Sequence, residues 1–177
     1  CIESGYIDKA RIVQVISSRR GAYALERAAE AGIPGICIDK EQFPEETDRC
    51  LAIMGKLREA DTDLVVLAGY MSILDLDIIE AYRNRIIDIH PALIPKYCGK
   101  GFYGKRVHRA VLEGCEAESG ATVHFVDEGV DTGRIILQEK VPVKPGDTED
   151  TLAARVLRVE HRILPQAIKL FCEGGIK

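Results

Sequence analysis

The most chemically suggestive stretch of the sequence is Asp88-Ile89-His90-Pro91, in which an acid and an imidazole lie two residues apart. If residues 86–90 form a strand, Asp88 and His90 point to the same face and the neighbouring isoleucines point to the other. Ligands of open α/β sheets bind beyond the carboxyl ends of the strands, where both polar side chains would lie. The pattern favours a catalytic histidine with an acidic neighbour over a purely structural one.

A second candidate is the run 122–126 (T-V-H-F-V), in which Thr122 and His124 would share one strand face. From the residues alone, His124 is either a core histidine hydrogen-bonded to a neighbour or part of an active site. The run continues into 127–133 (D-E-G-V-D-T-G), where two glycines permit a tight turn. That turn could present Asp131 to a cleft, and a solvated acidic hairpin is the alternative that the residues by themselves favour.

The ligand types of His90, His124 and Asp131 would suit zinc or iron, but their spacing matches no common metal motif. The loop 127–133 also lacks the alternating acids of a calcium site. We therefore expect no metal. Gly-rich phosphate motifs are absent from the sequence, and Arg19-Arg20-Gly21 is equally consistent with a weak anion site or a solvated turn.

Alternating strands and helices must position these side chains. We predict strands at 11–16, 35–38, 64–68, 86–90, 121–126 and 134–142, and helices at 21–31, 44–60, 75–82, 105–113 and 149–172. This order predicts an α/β fold with a mostly parallel sheet, helices on both faces and an antiparallel pair near the C-terminal end. The continuous apolar run 64–68 is typical of a central strand buried on both faces. Residues 91–104, with two prolines and three glycines, predict a long functional loop.

The composition indicates a soluble globular protein. The 177 residues, 46% hydrophobic and 29% charged, suit one compact domain over 1–177. A net charge of −4 argues against nucleic acid as a partner, and no apolar run is long enough to cross a membrane. The six scattered cysteines lack a Cys-x-x-Cys pair, so we expect reduced thiols and a cytoplasmic location.

Several segments in the right order resemble the folate-dependent formyltransferases, and most closely those members that act on glycinamide ribonucleotide in purine biosynthesis. The segments are I-D-I-H-P-A-L-I-P-K-Y, G-A-T-V-H-F-V-D-E-G-V-D-T-G, P-G-D-T-E-D-T-L-A-A-R-V-L-R-V-E-H, S-S-R-R-G-A-Y-A-L-E-R-A and L-V-V-L-A-G-Y-M-S-I-L. The resemblance covers nearly the whole chain. It implies a Rossmann-like formyltransferase fold and formyl transfer from 10-formyltetrahydrofolate, as co-substrate, to the amine of glycinamide ribonucleotide.

The resemblance also implies roles for individual residues. Asp88, His90 and Asp131 match the catalytic positions, with Thr122 and His124 supporting them. The positions that match the family's reduced-folate site are Leu67, Met71, Ser72, Ile73, Leu74, Asp88, Val126 and Asp131, and those that match its ribonucleotide site are Leu157, Arg158, Val159 and Glu160. The implied partners are these two small molecules, with no nucleic acid and no membrane, and the protein would act as a monomer or homodimer.

The sequence departs from the family pattern at two places. The family has Asn where this chain has Asp88, and an amide N–H can donate to a forming oxyanion whereas an ionised carboxylate repels it. The chain also begins after the family's first strand and its Gly-Ser-Asn-rich phosphate loop, so we expect an N-terminally incomplete domain. Smaller differences affect the folate contacts: Ser72 stands where a charged residue is common, and an arginine expected near 43–48 has no clear counterpart.

Three other functions are compatible with the resemblance. A 10-formyltetrahydrofolate hydrolase would use water in place of the amine, although the loop 98–104 and Glu160 fit the ribonucleotide enzyme better. A folate-binding protein without turnover would be consistent with Asp88. A transfer-RNA formyltransferase fits least, because those enzymes carry an additional basic domain.

Overall fold

A computed structural model describes residues 1–72 and 74–176 of the chain. In order, the elements are β1 (Val15–Ser17), α1 (Tyr23–Glu30), β2 (Gly35–Cys37), α2 (Glu46–Glu59), β3 (Val65–Ala68), α3 (Leu76–Ala81), β4 (Ile86–His90), α4 (Lys105–Glu113), β5 (Glu118–Phe125), β6 (Ile135–Pro142) and α5 (Glu149–Cys172). Every predicted strand and helix is present, most with ends shifted by one to three residues. The predicted α/β class is confirmed.

The chain divides into two compact units. One comprises residues 10–63 and 74–78, and in it β1 pairs in parallel with β2. The other comprises residues 1–9, 64–72 and 79–176, and it contains a sheet of order β3-β4-β5-β6. In that sheet β3 and β4 are parallel, while β5 is antiparallel to both β4 and β6. The antiparallel pair near the C-terminal end is therefore confirmed, and a single domain over 1–177 stays a prediction.

The first strand begins later than the apolar pattern predicts. Residues 11–14 lie outside any strand, and β1 pairs with β2 only from Val15, opposite Gly35. The Val15 amide donates to the carbonyl of Pro34 at 2.9 Å. Proline has no N–H to continue a ladder, so the pairing cannot extend further in that direction.

The prediction that 64–68 is a central strand buried on both faces is wrong. Within the residues that the structure describes, β3 is an edge strand that pairs only with β4. Val66 is 37% exposed, and Ala68 on the same face is also exposed. An apolar run indicates a strand, but its burial depends on the elements that cover it, and these lie elsewhere in the sequence.

The core of the larger unit lies between one face of the sheet and α5. Apolar side chains alternate along β4 and β5, and α5 presents a row spaced three or four residues apart. The residues that meet in this core include Ile87, Ile89, Val123, Phe125, Leu152, Val156, Val159 and Ile163. Because strand side chains alternate, the polar residues between these positions point to the opposite face.

A capping box begins α5. The Thr151 amide donates to the Thr148 hydroxyl at 3.3 Å, and the Thr148 amide donates to the Thr151 hydroxyl at 2.9 Å. These bonds satisfy backbone donors that the first turn of a helix leaves unpaired. Although α5 has 24 residues, no helix in the described part of the chain is both long and apolar enough to cross a membrane.

Candidate active site

The register of β4 and β5 brings four polar side chains to one face of the sheet. Asp88 lies opposite His124, and His90 lies opposite Thr122. Cross-strand partners share a face, so all four lie on the side that does not enter the core. Thr122, His90 and His124 are buried, and Asp88 is half-buried. This arrangement agrees with the faces expected from the sequence.

Thr122 fixes the start of the loop 91–104. Its hydroxyl donates to the Ala92 carbonyl at 2.6 Å and accepts from the Ile94 amide at 3.3 Å. Gln138 donates to the same oxygen at 2.9 Å. The loop therefore leaves β4 in a direction that β5 and β6 determine.

His90 is held from both sides of its ring. Its Nε2 donates to the Tyr97 carbonyl at 2.9 Å, since a carbonyl oxygen can only accept. Its Nδ1 lies 3.7 Å from Oδ2 of Asp131. The side chain is only 6% exposed, because the loop folds back over it. The nitrogen that faces an acid is therefore Nδ1.

The turn 127–133 directs Asp131 toward His90 and His124. Oδ2 of Asp131 accepts from the Gly99 amide at 2.7 Å, and Oδ1 lies 3.7 Å from Nε2 of His124. The backbone of Asp131 has a φ of +59°, a conformation that Asp tolerates better than most residues. The Asp131 side chain is only 13% exposed and lies beside two imidazoles, so the solvated acid that the residues alone favour is wrong.

Gly133 allows the turn to close. A Cβ atom at this position would lie 1.8 Å from the carbonyl oxygen of Phe125, closer than any side chain can approach. The Asp127 carboxylate stabilises the same turn by accepting from the Thr132 hydroxyl at 2.6 Å and from the Gly129 amide at 3.1 Å. The position of Asp131 therefore depends on Asp127, Thr132 and Gly133 of this turn.

His124 lies between two carboxylates. Its Nδ1 donates to the Phe125 carbonyl at 2.8 Å, and its Nε2 lies 3.6 Å from Oδ2 of Asp88. Burial by itself lowers the pKa of His124, but Asp88, the Phe125 carbonyl and Asp131 outweigh it and raise the pKa above its ordinary value. His124 is thus a buried histidine hydrogen-bonded to its neighbour, as the first alternative has it, and it also lies beside two acids; its active-site role stays a prediction.

Glu160 extends this electrostatic environment to α5. Burial raises the pKa of its carboxyl group, and the nearby charge of Asp88 raises it further. The two acids are thus close enough to influence each other, although Glu160 lies on a helix and Asp88 on a strand.

A family model described as formyl transferase matches residues 2–168. The chain belongs to the formyl transferase family. Its similarity to individual members extends over most of its length. It is 44% identical over 168 residues to a trifunctional purine biosynthetic protein, adenosine-3, of Drosophila pseudoobscura pseudoobscura, which covers 95% of this chain but only 12% of that protein.

Shorter members of the formyl transferase family align over more of their own length. The phosphoribosylglycinamide formyltransferase of Haemophilus influenzae is 40% identical, over 95% of this chain and 77% of that protein. The crystal structure of glycinamide ribonucleotide transformylase 1 from Symbiobacterium toebii superposes with a TM-score of 0.87 at 44% identity, over 93% of this chain and 75% of that one. These similarities confirm the resemblance and the fold class inferred from the sequence.

The residues predicted to bind folate in this formyl transferase have diverse environments. Leu67 is half-buried and lies opposite Asp88 in the β3–β4 pair, while Met71 and Ser72 are exposed. Val126 is half-buried just beyond β5, and its amide donates to the Ile86 carbonyl at 3.0 Å. Leu74 is buried and belongs to the smaller unit, and Ile73 lies outside the described residues.

The predicted ribonucleotide segment of this formyl transferase has two faces. Leu157 and Arg158 are exposed and Glu160 is half-buried, so their side chains are accessible to a ligand. Val159 is 3% exposed and packs in the core, because it lies on the face of α5 that covers the sheet. The Val159 side chain is therefore not accessible from this face, and its predicted contact with the ribonucleotide stays a prediction.

The sequence did not reveal the backbone groups that hold the acidic and imidazole side chains. The Tyr97 carbonyl binds His90 and the Gly99 amide binds Asp131, and both belong to the loop 91–104. The density of glycine and proline in this loop indicated a functional segment. Which of its backbone groups point inward depends on the folded conformation.

Proposed function

We propose that the chain transfers a formyl group from 10-formyltetrahydrofolate to the amine of glycinamide ribonucleotide, a step of purine biosynthesis. The observation that carries the proposal is the pairing of His90 with Asp131, 3.7 Å apart, within a chain that belongs to the formyl transferase family. The substrate named for the Haemophilus and Symbiobacterium relatives supports the choice of acceptor.

The residue chemistry suits this reaction. The acceptor amine attacks the formyl carbon, which forms a C–N bond and a transient oxyanion. Collapse of that intermediate breaks the bond to the folate nitrogen, which takes up a proton as it leaves. His90 is suited to donate to the oxyanion and to supply that proton from Nδ1, since its Nε2 is bound to the Tyr97 carbonyl.

The proton that leaves the attacking amine needs an acceptor. Oδ2 of Asp131 is bound by the Gly99 amide, while its Oδ1 faces His124 and makes no direct hydrogen bond to it at 3.7 Å. We assign to Asp131 the orientation of His90 and the acceptance of the amine proton through a water molecule. Holding both substrates in one geometry would account for a large part of the acceleration.

The remaining roles follow the sequence predictions. Reduced folate would contact Leu67, Met71, Ser72 and Val126, and the ribonucleotide would contact Leu157, Arg158 and Glu160. Thr122 would support the site by fixing the loop that holds His90. We propose a cytoplasmic protein that acts on small molecules as a monomer or homodimer.

The test is a transfer assay with both substrates and chromatographic analysis of the products. We expect formylated glycinamide ribonucleotide, and we expect His90→Ala to abolish its formation while folate affinity changes by no more than about threefold, because the imidazole serves chemistry rather than binding. Circular dichroism of the variant provides the control for folding.

Two results would contradict the proposal. Release of formate without formylated amine would identify a 10-formyltetrahydrofolate hydrolase. Tight folate binding with no product, in both the unaltered protein and the Asp88→Asn variant, would identify a binding protein without turnover.

A further inference from the structure

We infer that Asp88, His124 and Asp131 form a binding site for one divalent transition-metal cation of the zinc class. The three side chains offer ligand atoms that lie within 4.8 Å of one another. One imidazole nitrogen and two carboxylate oxygens are donors that zinc and related cations accept. The sequence-based set contained His90 in place of Asp88, but the Nε2 of His90 is bound to the Tyr97 carbonyl.

The decisive feature is the Nε2 atom of His124. The side chain is only 2% exposed, and this nitrogen has no hydrogen-bond partner among the residues that the structure describes. Because Nδ1 donates to the Phe125 carbonyl, Nε2 is the ring nitrogen that faces Asp88 and Asp131. A buried nitrogen without a partner, directed at two carboxylates, is the geometry that a shared cation would fill.

The orientation of the ring matches that of a metal ligand. Metal-binding histidines usually donate their other ring N–H to a carbonyl or carboxylate, which fixes the tautomer. The Phe125 carbonyl does so here, at 2.8 Å from Nδ1. His124 is therefore oriented and held before any cation binds.

The distances fit a shared cation better than direct hydrogen bonds. Nε2 of His124 is 3.6 Å from Oδ2 of Asp88 and 3.7 Å from Oδ1 of Asp131, both beyond hydrogen-bond length. Ligand atoms bound tetrahedrally at about 2.1 Å from zinc lie about 3.4 Å apart. The two distances to Nε2 would contract by a few tenths of an ångström, and the two carboxylate oxygens, within 4.8 Å of each other, by up to about 1.4 Å. Water or substrate would take the remaining position.

The two oxygens of Asp131 have separate partners. Oδ2 accepts from the Gly99 amide and faces His90, which leaves Oδ1 for the cation. Asp88 supplies the second negative charge at the position where the family resemblance has Asn. The inference therefore concerns this chain in particular, and it predicts that Asp88→Asn weakens the site without a large change in side-chain volume.

The first measurement is calorimetric titration of the chelator-treated protein with zinc chloride, followed by titration with Co²⁺ monitored by visible absorption. We expect one site, with a Co²⁺ spectrum that lacks a thiolate charge-transfer band, since none of the three ligands is a cysteine. Asp88→Asn and His124→Gln should each weaken affinity by about tenfold or more. Glu128→Gln, which alters an exposed acid of the neighbouring turn, should leave affinity unchanged.

Failure of the unaltered protein to bind either ion would overturn the inference. It would also be overturned if the Asp88→Asn and His124→Gln variants bound the ion as tightly as the unaltered protein. A thiolate band would assign the ion to cysteine and would also overturn it. In each of these cases a proton on Nε2 of His124, rather than a metal ion, would lie between the two carboxylates. Formyl transfer is assayed separately in the presence of chelator, so the proposed function and the metal site can fail independently.

Discussion

Asp88 places a carboxyl group where the proposed formyl transfer would generate an oxyanion. Its carboxylate lies 3.6 Å from His124 and raises the pKa of both His124 and Glu160. A carboxylate at this position favours cations and opposes an oxyanion, whereas an amide N–H would donate to the oxyanion. The identity of this one atom, oxygen or nitrogen, therefore influences both proposals made for the site.

We predict that Asp88→Asn increases the rate of formyl transfer by about tenfold or more, since removing a comparable oxyanion donor slows other enzymes by about 10²–10³. The measurement is kcat for formylated product, with chelator present so that metal binding does not contribute. Glu128→Gln serves as the control and should leave kcat unchanged, because Glu128 is exposed and pairs with Arg83. Equal rates for Asp88→Asn and the unaltered protein would show that position 88 does not contact the oxyanion.

At the scale of elements, hydrogen bonds from strands position the loop that binds His90. Thr122 on β5 holds the loop 91–104 near its start, and the Tyr97 carbonyl then reaches His90. The loop contains no helix or strand, so its conformation relies on such bonds.

We predict that Thr122→Val lowers the free energy of unfolding by about 1–3 kcal/mol, because the change leaves buried backbone groups without their partner. Urea denaturation measures the difference. Thr62→Val is the matched control, since Thr62 Oγ1 is buried without a hydrogen-bond partner among the described residues, and the same substitution there should be neutral or stabilising. A loss of equal size in both variants would contradict the role of the Thr122 bonds.

A second element-scale contact lies at the start of α5. Arg155 binds both oxygens of Asp147, at 2.6 and 2.8 Å, and the Lys144 amide donates to the same carboxylate at 2.7 Å. These contacts hold the pKa of Asp147 well below its usual range. A carboxyl with a lowered pKa in the folded state stabilises the fold above its unfolded pKa, and that contribution disappears as the pH falls toward the folded value.

The expected result is that Asp147→Asn destabilises the protein near pH 7 and that the difference from the unaltered protein shrinks below about pH 4, where the unfolded carboxyl takes up a proton. Urea unfolding over this pH range provides the measurement. Asp150→Asn removes an exposed carboxyl that pairs with Lys105, and as the control it should have little effect at any pH. A difference for Asp147→Asn that does not change with pH would contradict the argument.

At the scale of the molecule, the core beneath the sheet holds the polar cluster in place. The isoleucines of β4 and the apolar residues of β5 pack against α5, while the same strands present Asp88, His90, Thr122 and His124 on their other face. Displacement of the core would therefore also displace the site.

Leu152→Ala should lower the free energy of unfolding by about 2–5 kcal/mol, because Leu152 is fully buried in α5 and its truncation leaves a cavity. Leu157→Ala, at a position of the same helix that is 46% exposed, should change it by no more than about 0.5 kcal/mol. Chemical denaturation of both variants provides the comparison. Similar losses in both variants would contradict the packing argument, and helix propensity could not explain them, since Ala is a better helix former than Leu.

The sequence by itself determined the order of elements, the α/β class and the family. Apolar periodicity also identified which residues of β4 and β5 share a face, because side-chain alternation is a local property of a strand. The motifs around His90 and Asp131 were informative for a related reason, since each is a continuous segment. The binding and catalytic roles assigned to individual residues stay predictions.

Only the tertiary structure decided what each residue faces. It placed the Asp131 carboxylate beside His90 and His124, placed His124 between two acids, buried Val159 in the core and left Val66 exposed. It also supplied the Tyr97 carbonyl and the Gly99 amide, which no side-chain pattern encodes. Periodicity is set by neighbours along the chain. These environments instead depend on strand register and loop closure, which bring together residues that are distant in sequence. Gly99 and Asp131, for example, are 32 residues apart.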